Sequence, residues 1–290
     1  WLKSKAIYKT AAKNPLKFWE KLAGELVWQK KWQKIFEHKP PYSQASLGTG
    51  RLAKGENRPY FKWFLGGKLN ITENCLDRHL PEKKNKIALV WEPEPINEPS
   101  GVLTYEDLFK EVCKLANALK KLGVKKGDRV GIYLPMIPEV IVSMLACARI
   151  GAVHTVVFSA FSPVALKIRL QITEAKILIT ADGYYRRGQI INLKQSADEG
   201  IKDTKVEKMV VVKRAGNEIP WDSKKDLWRQ DLIKNESDEC EPEIMDSEDI
   251  LFLLFTSGTT GVPKAVIHTC GGYTVQAYWT GKWIFDLRDE

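Results

Sequence analysis

Ile250-Leu251-Phe252-Leu253-Leu254-Phe255, followed at once by Thr256-Ser257-Gly258-Thr259-Thr260-Gly261-Val262-Pro263-Lys264, is the stretch that decides the fold. Six consecutive apolar residues lack the alternation of a half-exposed strand. They read as a strand buried on both faces, the kind found in parallel sheets covered by helices. The segment after it is a loop in which four hydroxyl side chains and two glycines occupy six residues. Glycine lets the backbone approach an oxyanion and turn its N–H groups inward. The hydroxyls add donors and Lys264 adds positive charge, which together suit a polyphosphate. The spacing is not that of a Walker A loop, because Gly258 and Gly261 are three apart and Lys264 lies three beyond the second.

Upstream, strands and helices alternate. Thr104, with Asp107 three residues on, caps a helix through Leu108, Val112, Leu115 and Leu119 that Gly123 ends. Strands are expected at 128–134, 152–158, 176–180, 206–212 and 249–255. Pro138 starts one helix, and Ser162-Pro163 opens another as N-cap and N1. The fold class is therefore α/β, a mostly parallel sheet flanked by helices. Ligands of such sheets sit at the carboxyl ends of the strands, in the loops after Phe158, Thr180 and Phe255. The second of these loops contains Asp182-Gly183-Tyr184-Tyr185-Arg186-Arg187-Gly188-Gln189. Paired arginines beside glycine can clamp a phosphate; an exposed basic turn is the plainer alternative.

The first 70 residues differ from the rest. Phe18, Trp19, Leu22, Leu26, Trp28 and Trp32 recur at spacings of three and four, which suggests an amphipathic helix. Residues 42–59 read as loop. Aromatics crowd again at Tyr60, Phe61, Trp63 and Phe64. The formal net charge of +9 is concentrated here. Residues 1–70 carry 13 Lys and 2 Arg against 4 Glu, whereas residues 71–290 are nearly neutral. That distribution argues for a solvated basic face and against a nucleic-acid partner. Five cysteines without CxxC spacing argue against a disulfide framework or zinc site and for a reducing cytoplasm. The apolar tract 130–161 is interrupted by Pro135, Pro138, Glu139 and Arg149, so no membrane span is expected. Residues 236–249 hold eight acidic groups and read as a connector, and Trp279 to Phe285 reads as helix and core. His79, His154 and His268 carry no visible catalytic partner. The chain begins at Trp1 and stops at Asp289-Glu290 just past an aromatic stretch, so a fragment open at both ends is expected.

The run Phe255 to His268 resembles the phosphate-binding signature of the adenylate-forming enzymes, with Ala265 where that family usually has Gly. Gly67 to Leu80, Leu134 to Glu139, Ala146 to His154 and His268 to Tyr273 resemble segments of the acetyl-CoA synthetases, in that family's order and spacing. The resemblance implies residues 1–70 as an N-terminal extension and 71–290 as the first, truncated part of the AMP-binding domain. It implies an acid–thiol ligase that makes acetyl-CoA, AMP and diphosphate from acetate, ATP with Mg2+, and CoA through an acetyl-adenylate. Thr256, Ser257, Gly258, Thr259, Thr260, Gly261 and Lys264 would hold the ATP phosphates, Lys264 in a supporting role.

Arg186 and Gly188 match the family's RxGR segment, which contacts the nucleotide end of CoA. Gln189 stands where the second Arg is usual, and Arg187 occupies the free position. The adenine and acyl pockets and the mobile C-terminal lysine of the family have no match here. The fragment is therefore expected to be inactive alone, with its missing C-terminal half as partner. No metal ligand is assigned. A propionate or other short-chain acid–CoA ligase and a non-catalytic nucleotide- or CoA-binding module remain open alternatives.

Overall fold

The computed structural model describes residues 5–38, 61–257 and 263–288. The early elements are α1 (Lys5–Lys13), α2 (Pro15–Ala23), β1 (Lys34–His38), β2 (Phe61–Leu65), β3 (Lys68–Leu69), α3 (Ile71–Cys75), α4 (Leu80–Lys83), β4 (Ile87–Trp91) and β5 (Gly101–Thr104). Next come α5 (Tyr105–Lys121), β6 (Arg129–Ile132), α6 (Pro138–Arg149), β7 (Val153–Val156), α7 (Pro163–Thr173), β8 (Ile177–Ala181), β9 (Gly183–Arg186) and β10 (Gln189–Asn192). The last are α8 (Leu193–Gly200), β11 (Lys208–Val212), β12 (Asp226–Trp228), α9 (Arg229–Ile233), β13 (Met245–Asp246), β14 (Ile250–Thr256), β15 (Lys264–Thr269) and α10 (Cys270–Trp283). They divide into two compact units. One draws on Trp1–Leu69, Ile244–Asp249 and Thr269–Glu290; the other on Asn70–Glu243 and Ile250–His268.

The larger unit is built on a seven-stranded sheet of order β12-β11-β8-β6-β7-β14-β15. Every pair from β12 to β14 is parallel. The apolar runs of β8 and β11 are doubly buried, with Ile177, Leu178 and Ile179 and Met209, Val210 and Val211 sealed from solvent. The run in β14 is so only at Leu251, Phe252 and Leu253; Leu254 is 44% exposed, so the expected burial on both faces fails toward the strand's end. The expected helix starts also form. Thr104 Oγ1 accepts from the Asp107 N–H at 3.1 Å while Asp107 Oδ2 accepts from the Thr104 N–H at 3.0 Å, a reciprocal cap. Gly123 follows α5 at φ 86°. Pro138 is the first residue of α6, and Ser162 Oγ accepts from the Ala165 N–H to start α7. At Gly131 the helix layer comes so close that a Cβ would stand 2.7 Å from Leu170 and 3.0 Å from Leu178.

The smaller unit corrects the helix expected across Phe18 to Trp32. Asn14 caps α2, which ends at Ala23, and Gly24 closes it. Trp28 and Trp32 lie in irregular chain beyond. Their rings instead meet each other at 4.9 Å and Phe64 at 5.3 and 5.2 Å. The regular spacing therefore reflected an aromatic cluster, not one helix face. Trp279 of α10 is buried, and its Nε1 donates to Leu22 O at 3.0 Å. The helix stops at Trp283 and leaves Ile284 and Phe285 exposed, so the expected helix and core covers only part of 279–285.

The acidic connector is partly structured. Its β13 pairs antiparallel with β3, Lys68 meets Asp246 at 2.9 Å, and Ser247 Oγ donates to Phe64 O at 2.6 Å. In the larger unit, Asn117 Nδ2 donates to the carbonyls of Ser237 and Glu239, fixing the upstream part of the connector to α5. The 42–59 loop expected from the sequence lies outside the described residues.

His154 sits in β7 as a core residue. Its ring stacks on Phe252 at 5.3 Å, Phe252 stacks on His268 at 4.3 Å, and Nδ1 has no partner among the described residues. Burial drives its pKa down to about 4 from the ordinary 6.5. A histidine held neutral in the fold contributes stability that is complete above pH 6.5 and is lost as pH falls toward 4. The expected loss across that window is up to about 3 kcal/mol. Urea unfolding of the wild type and His154→Phe from pH 7 to 4 checks this: the variant's stability should fall less steeply between pH 6.5 and 4.

Candidate functional site

Because β8, β6, β7 and β14 run parallel, the loops that follow them open on one edge of the sheet. Two candidate phosphate sites stand there. The first begins where β14 ends in the exposed Thr256 and Ser257 and finishes where Lys264 opens β15, its neighbour in the sheet. Gly258, Thr259, Thr260 and Gly261 lie outside the described residues. Lys264 is exposed and has no acidic partner among the described residues. Ala265 is extended within β15 and does not fall among the residues at positive φ. Alanine in place of the family's glycine therefore adds no left-handed strain.

The second site is a hairpin. β9 and β10 pair antiparallel with Arg186 opposite Gln189. The turn is Arg187-Gly188 at φ 51° and 75°. Two successive left-handed residues are what a two-residue primed hairpin turn demands, and they explain why Gly sits second. Arg186, Arg187 and Gln189 are all exposed at the tip. Strands β6 and β7 lie between β8 and β14, so three strand spacings, about 14 Å, separate the roots of the two sites. The fold brings them to one edge but not into one cluster.

What holds the hairpin was not read from the sequence. Asp182, 1% exposed, ends β8 and gathers main-chain donors. Its Oδ1 accepts from the N–H groups of Gly183 (2.7 Å), Arg214 (2.8 Å) and Ala215 (2.9 Å), and its Oδ2 from Gly216 (2.7 Å). Buried carboxylate oxygens need hydrogen-bond partners, and here the main chain supplies four. At Gly183 a Cβ would lie 2.8 Å from the main-chain oxygen of Ile191, on its partner strand, so glycine is required beneath the loop.

Arg214 joins three segments. It donates to both oxygens of Glu98, at 2.8 and 2.6 Å, and lies 4.9 Å from the ring centroids of both Trp91 and Tyr185. Glu94 Oε1 accepts from the Arg187 N–H at the hairpin tip. The signal available in sequence was the run Glu92-Pro93-Glu94-Pro95 after Trp91, an acidic, proline-rich loop facing a chain segment with paired arginines.

No group of three or more acidic, His or Cys side chains among the described residues could hold a metal ion. No helix among them is long and apolar enough to cross a membrane.

A mostly parallel sheet flanked by helices, with polar loops at its carboxyl edge, defines an α/β protein, and comparison with known proteins gives its family. The model of the AMP-binding enzymes matches residues 76–289, and that of the acetyl-coenzyme A synthetase N-terminus matches residues 4–75. The chain belongs to the AMP-binding enzyme family. It is 45% identical over 291 residues to an acetyl-coenzyme A synthetase of Bdellovibrio bacteriovorus, covering 99% of this chain and 42% of the relative. It is 47% identical over 283 residues to one of Saccharophagus degradans, covering 97% and 41%. In structure it is similar to the acetoacetyl-CoA synthetase of Streptomyces lividans, with a TM-score of 0.83 and 26% identity over 96% of this chain and 40% of that one. The chain thus spans about two fifths of the length of these relatives.

The Asp182 carboxylate is expected to be the hairpin's main anchor. Asp182→Asn turns one acceptor oxygen into a donor and should cost about 1.5–3 kcal/mol in denaturant unfolding. In the same variant, amide exchange at Gly183 and 214–216 should accelerate ahead of the strands.

Proposed function

We propose that the chain contributes the phosphate-binding part of an AMP-forming acetate–CoA ligase. In the proposed reaction acetate attacks the α-phosphate of ATP to give acetyl-adenylate and diphosphate, and the CoA thiol then displaces AMP to give acetyl-CoA. The supporting observation is that two adjoining family matches together run from residue 4 to 289, with acetyl-coenzyme A synthetases at 45 and 47% identity across nearly the whole chain. The names of those relatives favour acetate over propionate as the acid. Residues 1–70 are assigned as the N-terminal extension and 71–290 as the first part of the AMP-binding domain. All five cysteines are free, as a reducing cytoplasm would keep them.

In this assignment the β14–β15 loop, Thr256 to Gly261 with Lys264, cradles the β- and γ-phosphates of ATP. Fixed N–H and hydroxyl donors and the Lys264 ammonium stabilise the charge that grows on the departing diphosphate. The described residues offer no carboxylate set for Mg2+, so the role given to the loop rests on its own donors. The Arg186–Gln189 hairpin, about 14 Å away along the same edge, takes a phosphate of CoA. Arg187 supplies the second cation where Gln189 supplies none. Separate anchors suit a reaction in which two phosphate-bearing substrates act in succession.

Two experiments on the protein at its natural length test the assignment. Lys264→Ala and Thr260→Val should slow acetate-dependent pyrophosphate exchange at least about tenfold; unchanged exchange in both removes the loop from the site. Arg186→Ala should raise the KM for CoA by about tenfold or more while leaving that exchange intact. A fall in exchange at constant CoA dependence would reassign the hairpin.

A further inference from the structure

Among the described residues, Arg149, Arg229, Arg214 and Lys194 are buried or half-buried and each meets a carboxylate, whereas the buried Arg169 does not. Arg149, 2% exposed, is held by both oxygens of Asp77 at 2.9 Å. Arg229 donates to Glu111, and Arg214 is held by both oxygens of Glu98. Lys194, 1% exposed, sits between Asp198 at 2.6 Å and Asp226 at 2.9 Å. Arg169 of α7 is also buried, at 8% exposure, yet the only hydrogen bond of its guanidinium among the described residues runs from Nη1 to Ala165 O, on its own helix. No carboxylate among the described residues meets it.

Its guanidinium lies over two phenyl rings instead, 4.5 Å from the centroid of Phe161 and 5.4 Å from that of Phe255. Burial pulls its pKa down, the mark of a cation without compensating charge. A buried charge is costly unless it is paired. Its place explains why the cost is tolerated. Phe255 immediately precedes Thr256, the first residue of the β14–β15 loop, and Phe161 belongs to the loop after β7, on the same edge of the sheet. Nε and Nη2 of Arg169 have no hydrogen-bond partner among the described residues.

We infer that Arg169 is the cation of an anion subsite at the root of the β14–β15 loop, and that the anion it receives is a phosphate of the nucleotide's polyphosphate chain. The inference rests on the proposed ATP role of the loop for the identity of its ligand; the unpaired charge and its placement stand apart from that role. A planar guanidinium beside two rings can offer paired N–H groups to a phosphate, a bidentate contact that lysine at this position could not reproduce.

Arg169→Met separates this from a structural role. Methionine keeps an unbranched apolar stem between the rings and removes an uncompensated buried charge. The variant should therefore melt at the same temperature as the wild type or higher. Titration calorimetry of the chain with pyrophosphate should show binding weakened about tenfold or more in Arg169→Met, with only partial recovery in Arg169→Lys. Equal pyrophosphate affinity in wild type and Arg169→Met overturns the inference. So does a lower melting temperature in Arg169→Met, which would make the guanidinium a packing element. Binding of acetate, but not pyrophosphate, that depends on Arg169 would overturn the polyphosphate assignment. Pyrophosphate binding that needs Lys264 but not Arg169 would reject this subsite and leave the loop's proposed role standing. Wild type that binds neither anion overturns both.

Discussion

Strand direction is the constraint on which the larger unit depends. Parallel strands cannot be joined by tight turns, so each crossover must travel the length of the sheet, and helices such as α6, α7 and α8 make those journeys while covering its faces. Burial on both faces then selects the uninterrupted apolar runs seen in β8 and β11. It also leaves the strand ends as the places where polar chemistry can be displayed. The loops after β7, β8 and β14 therefore reach the same edge regardless of their sequence, and their composition decides what they do there.

Charge is handled differently at the two candidate sites. Beneath the hairpin, the negative charge of Asp182 is spread over four main-chain donors, and Arg214 is neutralised by Glu98. The base is electrostatically closed, and positive charge remains only at the exposed tip. At the root of the β14–β15 loop the balance is left open: neither Arg169 nor Lys264 has a carboxylate partner among the described residues. The first arrangement presents arginines on a rigid support. In the proposed assignment the second holds positive charge in place for an anion to enter.

Much of this was legible in sequence because it is local. The Thr104–Asp107 cap, Pro138 and Ser162-Pro163 specify helix starts within four residues of chain. The apolar runs specify strands with no reference to their neighbours. The N-terminal aromatics misled because three- and four-residue spacings also arise when rings converge from irregular chain, as Trp28 and Trp32 do on Phe64. The roles of Asp182, Glu98, Arg214 and Arg169 were not legible because each depends on a partner, or on the lack of one, far away in sequence. Glu98 and Arg214 are 116 residues apart, and nothing near Arg169 reveals that no carboxylate reaches it.

The central claim is that one edge of the sheet carries two separate phosphate sites, one at the β14–β15 loop and one at the β9–β10 hairpin. The most direct measurement is amide chemical-shift mapping of the isotope-labelled chain, titrated separately with pyrophosphate and with CoA. Pyrophosphate is expected to move the resonances of 256–264 and the Arg169 side chain, and CoA those of 183–189, with little overlap. Shifts from both ligands confined to one of these segments, or found instead in the lysine-rich residues 5–34, would contradict the claim.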